Sequence, residues 1–332
     1  CLIILGSRLN IRLVSFNWKS FAKSAWKCHV DIDKSELCKP TLTTDLKIHS
    51  DLYNFLPELS TVLEESLLAD PSQNDNLNFW VGWKSFNKKY LDIYAPHKHA
   101  LPPKDSKVNP YRLVNSLSHK LKEDNIVVTA DGTACVVGFQ ASVIKKGQRW
   151  FHNSGCASMG FELPAAIGAW HASGKPIVCI AGDGSIMMNL QELAYIGGLS
   201  IPIKIILLNN QGYHSIRQTQ NNYFPANPVG CGVESGLPFP DFDKLCSGFG
   251  LSYYYINDEK NISSVLDELL SCEGPCLIEA ALDLDQEFSP KLASKKLDDG
   301  SMITAELEDM TPLLGDDILK NIMNEAFQIS AE

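Results

Sequence analysis

Apolar residues in the second half of the chain form short uninterrupted runs separated by stretches with helical spacing. The runs lie at Ile126–Thr129, Pro176–Ala181, Ile203–Leu208 and Cys276–Ala280. Strands that lack polar alternation are buried on both faces, and strands that alternate with helices favour a parallel sheet. We therefore predict an α/β fold in this half, with a parallel sheet covered by helices on both faces and the 276–280 strand closing it.

The intervening stretches carry the apolar spacing of amphipathic helices. Four helices are predicted in this half, at Pro110–Lys122, Leu163–Ala172, about Met188–Gly197 and Ile262–Leu270. Beyond Asp283 the pattern becomes polar, and one late helix is predicted at about Asp316–Ile329. Residues 105–285 are accordingly predicted to form one domain and residues 286–332 a C-terminal tail.

The first hundred residues show a second, shorter α/β pattern. Three strands and two helices are predicted, at Leu2–Leu5, Lys27–Asp33, Thr44–His49, Asp51–Leu68 and Phe79–Tyr94. The Pro-rich and basic stretch Ala95–Lys104 is predicted to be a linker, in which His97 and His99 are solvated rather than metal ligands. Residues 1–100 therefore indicate a partial Rossmann-like domain and its linker.

Composition and charge exclude several classes of function. The 332 residues are 45% hydrophobic and 20% charged, which is ordinary for a globular protein. The net charge of −10 argues against a nucleic-acid or membrane-surface binder. The apolar runs are too short for a transmembrane helix. A signal peptide would have a basic region before its apolar run, and the first run has none. Because the chain starts in a strand without Met, we expect it to be truncated or processed.

The ten cysteines are scattered and do not form paired CxxC blocks. Several lie in apolar runs, as Cys179 does, and are predicted to be small core residues. Cys272 and Cys276 alone are a weak zinc signal. We expect a reducing, cytoplasmic location.

Two polar groups follow neighbouring strands of the predicted sheet. Gly182-Asp183-Gly184-Ser185 ends one strand and Asn209-Asn210 ends the next, and Asn210 comes 27 positions after Asp183. Parallel strands end at the same edge of a sheet, so these side chains should meet. A carboxylate, an amide and a carbonyl from the following turn suit Mg²⁺, and the glycines and Ser185 suit a phosphate. The alternative is that the first motif is a simple turn and the second a strand cap. This alternative explains either motif alone better than it explains both motifs at this spacing.

Other phosphate motifs are absent from the sequence. There is no GxxxxGK[ST], and Gly182-Asp183-Gly184 lacks the third glycine of GxGxxG. A nicotinamide-dependent Rossmann dehydrogenase is therefore disfavoured.

The paired motif resembles that of thiamine-diphosphate-dependent enzymes. The runs Ser185–Leu193 and Met159–Ala169 resemble the acetolactate synthase-like branch of that family, and the resemblance covers residues 108–285 well. Residues 1–60 resemble the latter part of the family's central domain through Leu5–Asn10 and Val30–Asp33. The resemblance implies the C-terminal half of such an enzyme, without its pyrimidine-binding domain.

The resemblance also implies roles for individual residues. Asp183, Asn210 and the carbonyl of Gly212 would bind Mg²⁺. The residues implied to contact thiamine diphosphate are Thr133, Ala134, Cys135, Ala157, Met159, Gly182, Gly184, Ser185, Asn210, Gly212 and Tyr213. Within this set the 133–135 segment matches a loop at the diphosphate, and the carbonyl of Ala157 matches the acceptor for the aminopyrimidine nitrogen. Met159 matches the residue that props the cofactor in its bent form, or else is a core residue at a helix start.

The implied activity is decarboxylation of a 2-oxo acid, followed by protonation or carboligation. The activating glutamate of the family would lie in the absent domain, so no catalytic residue is assigned here. A homo-oligomer, or a partner chain carrying the pyrimidine domain, would complete the site. FAD is possible at residues 1–60 but has no support in the sequence.

Departures from the family pattern leave the substrate open. Thr219 stands where acetolactate synthases carry a tryptophan, and Asp131–Cys135 replaces their usual Gln-His loop. The run Asn210–Arg217 is more similar to relatives associated with surface-sugar biosynthesis. His214 and Arg217 could face a substrate carboxylate or lie at the surface. The alternative function is a non-catalytic or degenerate subunit that acts through assembly.

Overall fold

A computed structural model describes residues 1–69, 76–99, 107–224, 228–292, 294–296, 299–308, 310 and 315–331. The chain divides into two compact units. Cys1–Ile93 and Ser289–Glu332 form the first unit, and Tyr94–Phe288 forms the second. Most of the stretch that we predicted as a tail, from residue 289 onward, thus clusters with the first unit.

The first unit begins with a small parallel sheet. Its elements up to residue 93 are β1 (Leu2–Leu5), α1 (Ile11–Val14), β2 (Lys27–Asp31), α2 (Lys34–Cys38), β3 (Leu46–His49), α3 (Leu52–Ala69) and α4 (Asn76–Ile93). The sheet order is β1-β2-β3, and all pairs are parallel. Its apolar core includes Ile4, Leu9, Val14 and Leu42. The three strands and two long helices agree with the sequence prediction.

The second unit holds the larger sheet. Its elements are α5 (Pro96–His99), α6 (Pro110–Lys120), β4 (Ile126–Thr129), α7 (Thr133–Ala141), β5 (Arg149–Phe151), α8 (Glu162–Ser173), β6 (Ile177–Gly182), α9 (Asp183–Ile186), α10 (Glu192–Gly198), β7 (Ile203–Asn209), α11 (His214–Tyr223), α12 (Phe242–Phe249), β8 (Ser252–Ile256), α13 (Ile262–Ser271) and β9 (Cys276–Ala281). All six strands are parallel, in the order β5-β4-β6-β7-β9-β8. The predicted α/β fold with a helix-covered parallel sheet is confirmed.

The helices cover both faces of this sheet. Leu113 of α6 and Leu266 of α13 pack in a core cluster on one face. Leu163 of α8, Leu193 of α10 and Phe242 of α12 pack in a second cluster. Because successive side chains of a strand point to opposite faces, β7 contributes to both clusters.

The prediction that the 276–280 strand closes the sheet is wrong. This strand, β9, lies between β7 and β8, and β8 (Ser252–Ile256) forms the edge. An edge strand is covered incompletely, and β8 accordingly has only one buried residue, Ile256. Its tyrosine-rich sequence, Ser252-Tyr253-Tyr254-Tyr255-Ile256, therefore lacks the apolar run by which we recognised the central strands.

The remaining elements belong to the first unit. They are β10 (Ser294–Lys296), β11 (Met302–Thr304) and α14 (Asp316–Ala331). The helices α4 and α14 are joined by Glu325, whose carboxylate accepts hydrogen bonds from Lys89 at 2.7 Å and Tyr90 at 2.6 Å. Among the described residues, no helix is both long and apolar enough to cross a membrane.

Candidate functional site

The carboxyl ends of β6 and β7 lie side by side at one edge of the six-stranded sheet. The strands are parallel neighbours in which Gly182 pairs with Leu208. Asp183 follows β6 directly and Asn210 follows β7. One end of the Asn210 amide lies 3.3 Å from Asp183 Oδ1 and 2.5 Å from the carbonyl oxygen of Gly212. The structure thus brings together the three residues that the sequence suggests as metal ligands.

The carboxyl group of Asp183 is enclosed and hydrogen-bonded on both oxygens. The residue is 1% exposed. The Gly184 N–H donates to Oδ1 at 2.8 Å, and the Gly212 N–H donates to Oδ2 at 2.9 Å. Burial raises the pKa of Asp183 to about 7, although these N–H groups and the Arg217 guanidinium act in the opposite direction. A cation bound beside this carboxyl would favour its ionised form.

The surroundings of the Asn210 amide test whether a cation fits here. Its other end lies 3.1 Å from Thr133 Oγ1, a hydroxyl that can donate or accept. With nitrogen toward Asp183 and Gly212, the amide donates to both of their oxygens. With oxygen toward them, three oxygens converge at separations of 2.5 and 3.3 Å, which bracket the roughly 2.9 Å between adjacent ligands of octahedral Mg²⁺. A cation bound among the three groups would favour that orientation, so this donor set can accommodate a hard divalent ion.

Backbone donors hold the turn that carries the third oxygen. The N–H groups of Gln211, Gly212 and Tyr213 donate in turn to Asn209 Oδ1 at 3.0 Å, Asp183 Oδ2 at 2.9 Å and the Cys231 carbonyl at 2.9 Å. Gly212 has φ +141°, and a Cβ on it would lie 2.1 Å from the Cys231 carbonyl oxygen. Only glycine fits this position without rearrangement.

Glycines also bring the backbone after β6 close to its neighbours. A Cβ on Gly184 would lie 2.3 Å from Cε1 of the Tyr213 ring, so this ring packs directly on the Gly184 backbone. At Gly182, the last residue of β6, a Cβ would only reach ordinary contact with Ser185 Cβ at 4.0 Å. The two predicted cofactor residues Gly184 and Tyr213 are therefore in contact.

Ser185 is joined to a carboxyl group that the sequence analysis did not single out. Its hydroxyl accepts from the Gly160 N–H at 2.9 Å and donates to Glu162 Oε2 at 2.9 Å. Glu162 is fully buried, its Oε1 has no hydrogen-bond partner among the described residues, and burial raises its pKa to about 7. The sequence did carry a signal for Glu162, because it is a charged residue between Phe161 and Leu163 inside an apolar run.

The segment Thr133–Cys135 forms the first turn of α7, so the prediction of a loop here is wrong. Gly132, at φ +69°, allows the chain to turn into the helix directly after β4. Thr133 reaches Asn210, whereas the Ala134 methyl is buried in the core. Ala134 is buried as a whole, and Cys135 is half-buried.

The loop before α8 carries Ala157 and Met159. Ala157 is exposed and has φ +55°, a conformation that non-glycine residues seldom adopt. The side chain of Met159 is 40% exposed, so the alternative of a core residue is wrong. The hydrogen bond from Gly160 to Ser185 ties this loop to the turn after β6.

His214 and Arg217 lie on α11 behind the turn. His214 is buried and packs edge to face on Phe288, with ring centroids 5.1 Å apart. Arg217 Nη2 donates to the Asn210 carbonyl at 2.6 Å. His214 is thus not at the surface, whereas Arg217 is partly exposed and holds the backbone at Asn210.

The cysteines do not form a metal site. Cys272 and Cys276 place their sulfur atoms near backbone carbonyls, at 3.6 Å from Gly274 O and 3.7 Å from Leu269 O. Within the described ranges, no group of three or more His, Cys, Asp or Glu side chains could hold a metal ion. The candidate metal site at Asp183 has one carboxylate and relies on amide and carbonyl oxygens.

Comparison with known proteins shows which family the chain resembles. Residues 131–280 match the C-terminal TPP binding domain of thiamine pyrophosphate enzymes. The chain is 30% identical over 297 residues to the acetolactate synthase large subunit of Pyropia yezoensis, covering 89% of this chain and 48% of that protein. It is 27% identical over 290 residues to the acetolactate synthase isozyme 1 large subunit of Escherichia coli strain K12, covering 87% and 48%.

A plant relative shows the same pattern. The probable chloroplastic acetolactate synthase 2 of Oryza sativa subsp. japonica is 29% identical over 305 residues, which cover 88% of this chain and 44% of that protein. The chain thus spans about half the length of the curated relatives that it matches.

Proposed function

The chain belongs to the acetolactate synthase-like family of thiamine-diphosphate-dependent enzymes, and on that premise we propose that it binds thiamine diphosphate through Mg²⁺. The proposed activity is decarboxylation of a 2-oxo acid or transfer of the resulting two-carbon or longer unit. The observation that carries the proposal is that the Asp183 carboxyl group, the Asn210 amide and the Gly212 carbonyl meet at one sheet edge.

Each of these residues has a distinct task in the proposal. Asp183 supplies charge, and the Asn210 amide oxygen and the Gly212 carbonyl complete the protein's share of the Mg²⁺ ligands. Mg²⁺ usually retains positions for phosphate oxygens and water, so a diphosphate can bind on its outer side. When bound, thiamine diphosphate supplies a carbanion centre that makes cleavage beside a carbonyl possible.

The backbone around the metal site would hold the diphosphate and orient the ring system. We propose that Thr133, the backbone of Ala134 and Cys135, and the turn from Gly182 to Ser185 surround the diphosphate. Tyr213 packs on Gly184 and limits that pocket. On the loop before α8, the Ala157 carbonyl would accept from the aminopyrimidine, and the exposed Met159 would support the bent cofactor.

The group that activates the cofactor is assigned to no residue of this chain. We propose that residues 1–100 are part of a central domain with its linker, that 105–285 form the cofactor domain, and that 286–332 are a C-terminal tail. A second copy, or a chain with a pyrimidine-binding domain, would complete the active site.

Calorimetric titration of thiamine diphosphate in the presence of Mg²⁺ tests the proposal. We expect saturable, Mg²⁺-dependent binding to the parent chain and none to Asp183→Asn, which keeps the shape and removes the charge. Asp243→Ala removes an exposed carboxylate on α12 and should bind like the parent. Equal binding by Asp183→Asn and the parent would refute the metal assignment.

A second assay addresses the activity itself. The chain is mixed with a partner that carries a pyrimidine-binding domain, and release of CO₂ from pyruvate and other 2-oxo acids is measured. Turnover that depends on both chains supports the enzyme proposal. Cofactor binding without turnover of any 2-oxo acid would favour a non-catalytic subunit instead.

A further inference from the structure

The side chain of Asn209 faces away from the proposed metal ligands and bonds on both ends. Its Nδ2 donates to Glu279 Oε1 at 2.6 Å, and its Oδ1 accepts from the Gln211 N–H at 3.0 Å. The backbone carbonyl of Asn209 accepts from the Leu282 N–H at 2.9 Å. Asn209 therefore connects the turn after β7 to strand β9 and to the residue that follows it.

The connection continues to the edge of the sheet. Glu279 lies on β9 opposite Leu207 of β7 and opposite Tyr255 of β8. Its Oε2 accepts from the Tyr253 hydroxyl at 2.6 Å. Burial and the Glu279 carboxylate raise the pKa of Tyr253, so the hydroxyl keeps its proton and remains a donor. Three adjacent strands thus contribute to one chain of hydrogen bonds.

This chain ends on the Gln211 N–H, in the turn that carries the Gly212 carbonyl. Gln211 has φ +55°, which a non-glycine residue adopts only where its surroundings hold it. The Asn209 side chain holds the Gln211 N–H, and Asp183 holds the Gly212 N–H. These two bonds fix the backbone that leads to the Gly212 carbonyl, and the Tyr213 N–H, which shares a peptide with that carbonyl, donates to Cys231. The carbonyl lies within 2.5 Å of the Asn210 amide.

We propose that Asn209, Glu279 and Tyr253 are positioning residues that hold the turn carrying the Gly212 carbonyl in place for Mg²⁺, without touching the cofactor. This inference rests on the proposed function. Outer-shell partners of metal ligands typically change metal affinity about 10- to 100-fold when removed. Mg²⁺ requires near-ideal octahedral geometry, whereas Ca²⁺ tolerates irregular sites. A displaced carbonyl should therefore weaken Mg²⁺ much more than Ca²⁺.

The test measures the concentrations of Mg²⁺ and of Ca²⁺ that give half-maximal binding of thiamine diphosphate to the full chain. Asn209→Ala and Glu279→Ala should raise the Mg²⁺ concentration about tenfold and the Ca²⁺ concentration less than threefold. Glu279→Gln keeps an acceptor for Asn209 and should stay within threefold of the parent for both ions. That variant separates the effect of geometry from loss of the Glu279 charge.

Tyr253→Phe is the conservative variant at the far end, and Tyr255→Phe is its matched control. Tyr255 lies two residues along the same strand and is 48% exposed. We expect Tyr253→Phe to raise the half-maximal Mg²⁺ concentration less than Asn209→Ala does, and Tyr255→Phe to leave it unchanged. Circular dichroism melting identifies any variant that fails to fold.

The outcomes separate this inference from the proposed function. Equal shifts for Mg²⁺ and Ca²⁺, or no shift in folded Asn209→Ala and Tyr253→Phe, would overturn the positioning role while leaving cofactor binding intact. Failure of the parent chain to bind thiamine diphosphate with either ion would overturn both.

Discussion

The Ser185 hydroxyl donates a 2.9 Å hydrogen bond to Oε2 of Glu162, a carboxyl group with no exposure to solvent. Through Ser185, which also accepts from the Gly160 N–H, Glu162 links the start of α8 to the turn that bears Asp183. Burial is the main reason that the pKa of Glu162 rises to about 7, and the Asp131 carboxylate adds to it. Folding thus favours the protonated form of Glu162 more than the unfolded chain does.

We predict that Glu162→Gln reduces the pH dependence of folding stability. A raised pKa stabilises the folded state fully below the unfolded value near 4.5, and this contribution is lost as pH rises through about 7. The parent should therefore lose at most about 3 kcal/mol through this group between these values. Thermal melts from pH 4.5 to 8 measure it.

Asp183 acts in the same direction, so the Glu162 comparison is made in the Asp183→Asn background as well. Parallel profiles for the two proteins that differ only at residue 162 would contradict the prediction. Glutamine retains an acceptor for Ser185, which keeps the packing of the turn comparable.

Gly184→Ala is predicted to weaken cofactor binding about tenfold or more by forcing Tyr213 away from the turn. The new Cβ would lie 2.3 Å from Cε1, a separation that packed atoms cannot adopt. Calorimetry with thiamine diphosphate and Mg²⁺ measures the loss. Gly168→Ala is the control, since its Cβ on α8 meets nothing within 4 Å and should stabilise the helix by about 0.5–1 kcal/mol.

Met159→Ala should weaken cofactor binding while leaving stability nearly unchanged. Met159 is 40% exposed, so less buried surface is lost than at a core position. Leu163→Ala, four residues on at 1% exposure, removes a core side chain and should cost about 2–5 kcal/mol. Denaturant unfolding together with cofactor titration separates the two cases. A large loss of stability in Met159→Ala would argue against its role at the cofactor.

Lys204→Met is predicted to destabilise the fold by about 2 kcal/mol without altering cofactor binding. Lys204 is a buried residue of β7 whose Nζ donates to the carbonyls of Cys272 and of Gly274, the latter at 2.6 Å. The substitution leaves both carbonyls without this donor. Lys146→Met, at an exposed position, is the control for replacing a lysine. Urea unfolding curves of the two variants give the difference.

The central strands could be predicted from the sequence because burial on both faces leaves uninterrupted apolar runs, as in Ile203–Leu208. The proximity of Asp183 and Asn210 could also be predicted, because each follows one of two neighbouring parallel strands and such strands end at the same edge of the sheet. Edge strands carry no such signal, and β8, with its three successive tyrosines, was missed for this reason.

The supporting hydrogen bonds could not be predicted in this way. Asn209 and Glu279 are 70 residues apart, and their contact depends on the order of β7 and β9 in the sheet. Glu162 was visible as a charge in an apolar run, but its partner Ser185 depends on how the loop before α8 returns to β6. The type of a residue suggests that it makes a hydrogen bond, but only the packed structure shows which partner it bonds to.

The turn at 211–213 has a consequence for the order in which ligands can bind. All three of its N–H groups are already donated to protein acceptors. A diphosphate approaching this turn alone would meet carbonyl and carboxyl oxygens and be repelled. Under the proposed function, the cation at this turn would therefore have to arrive before the diphosphate or together with it.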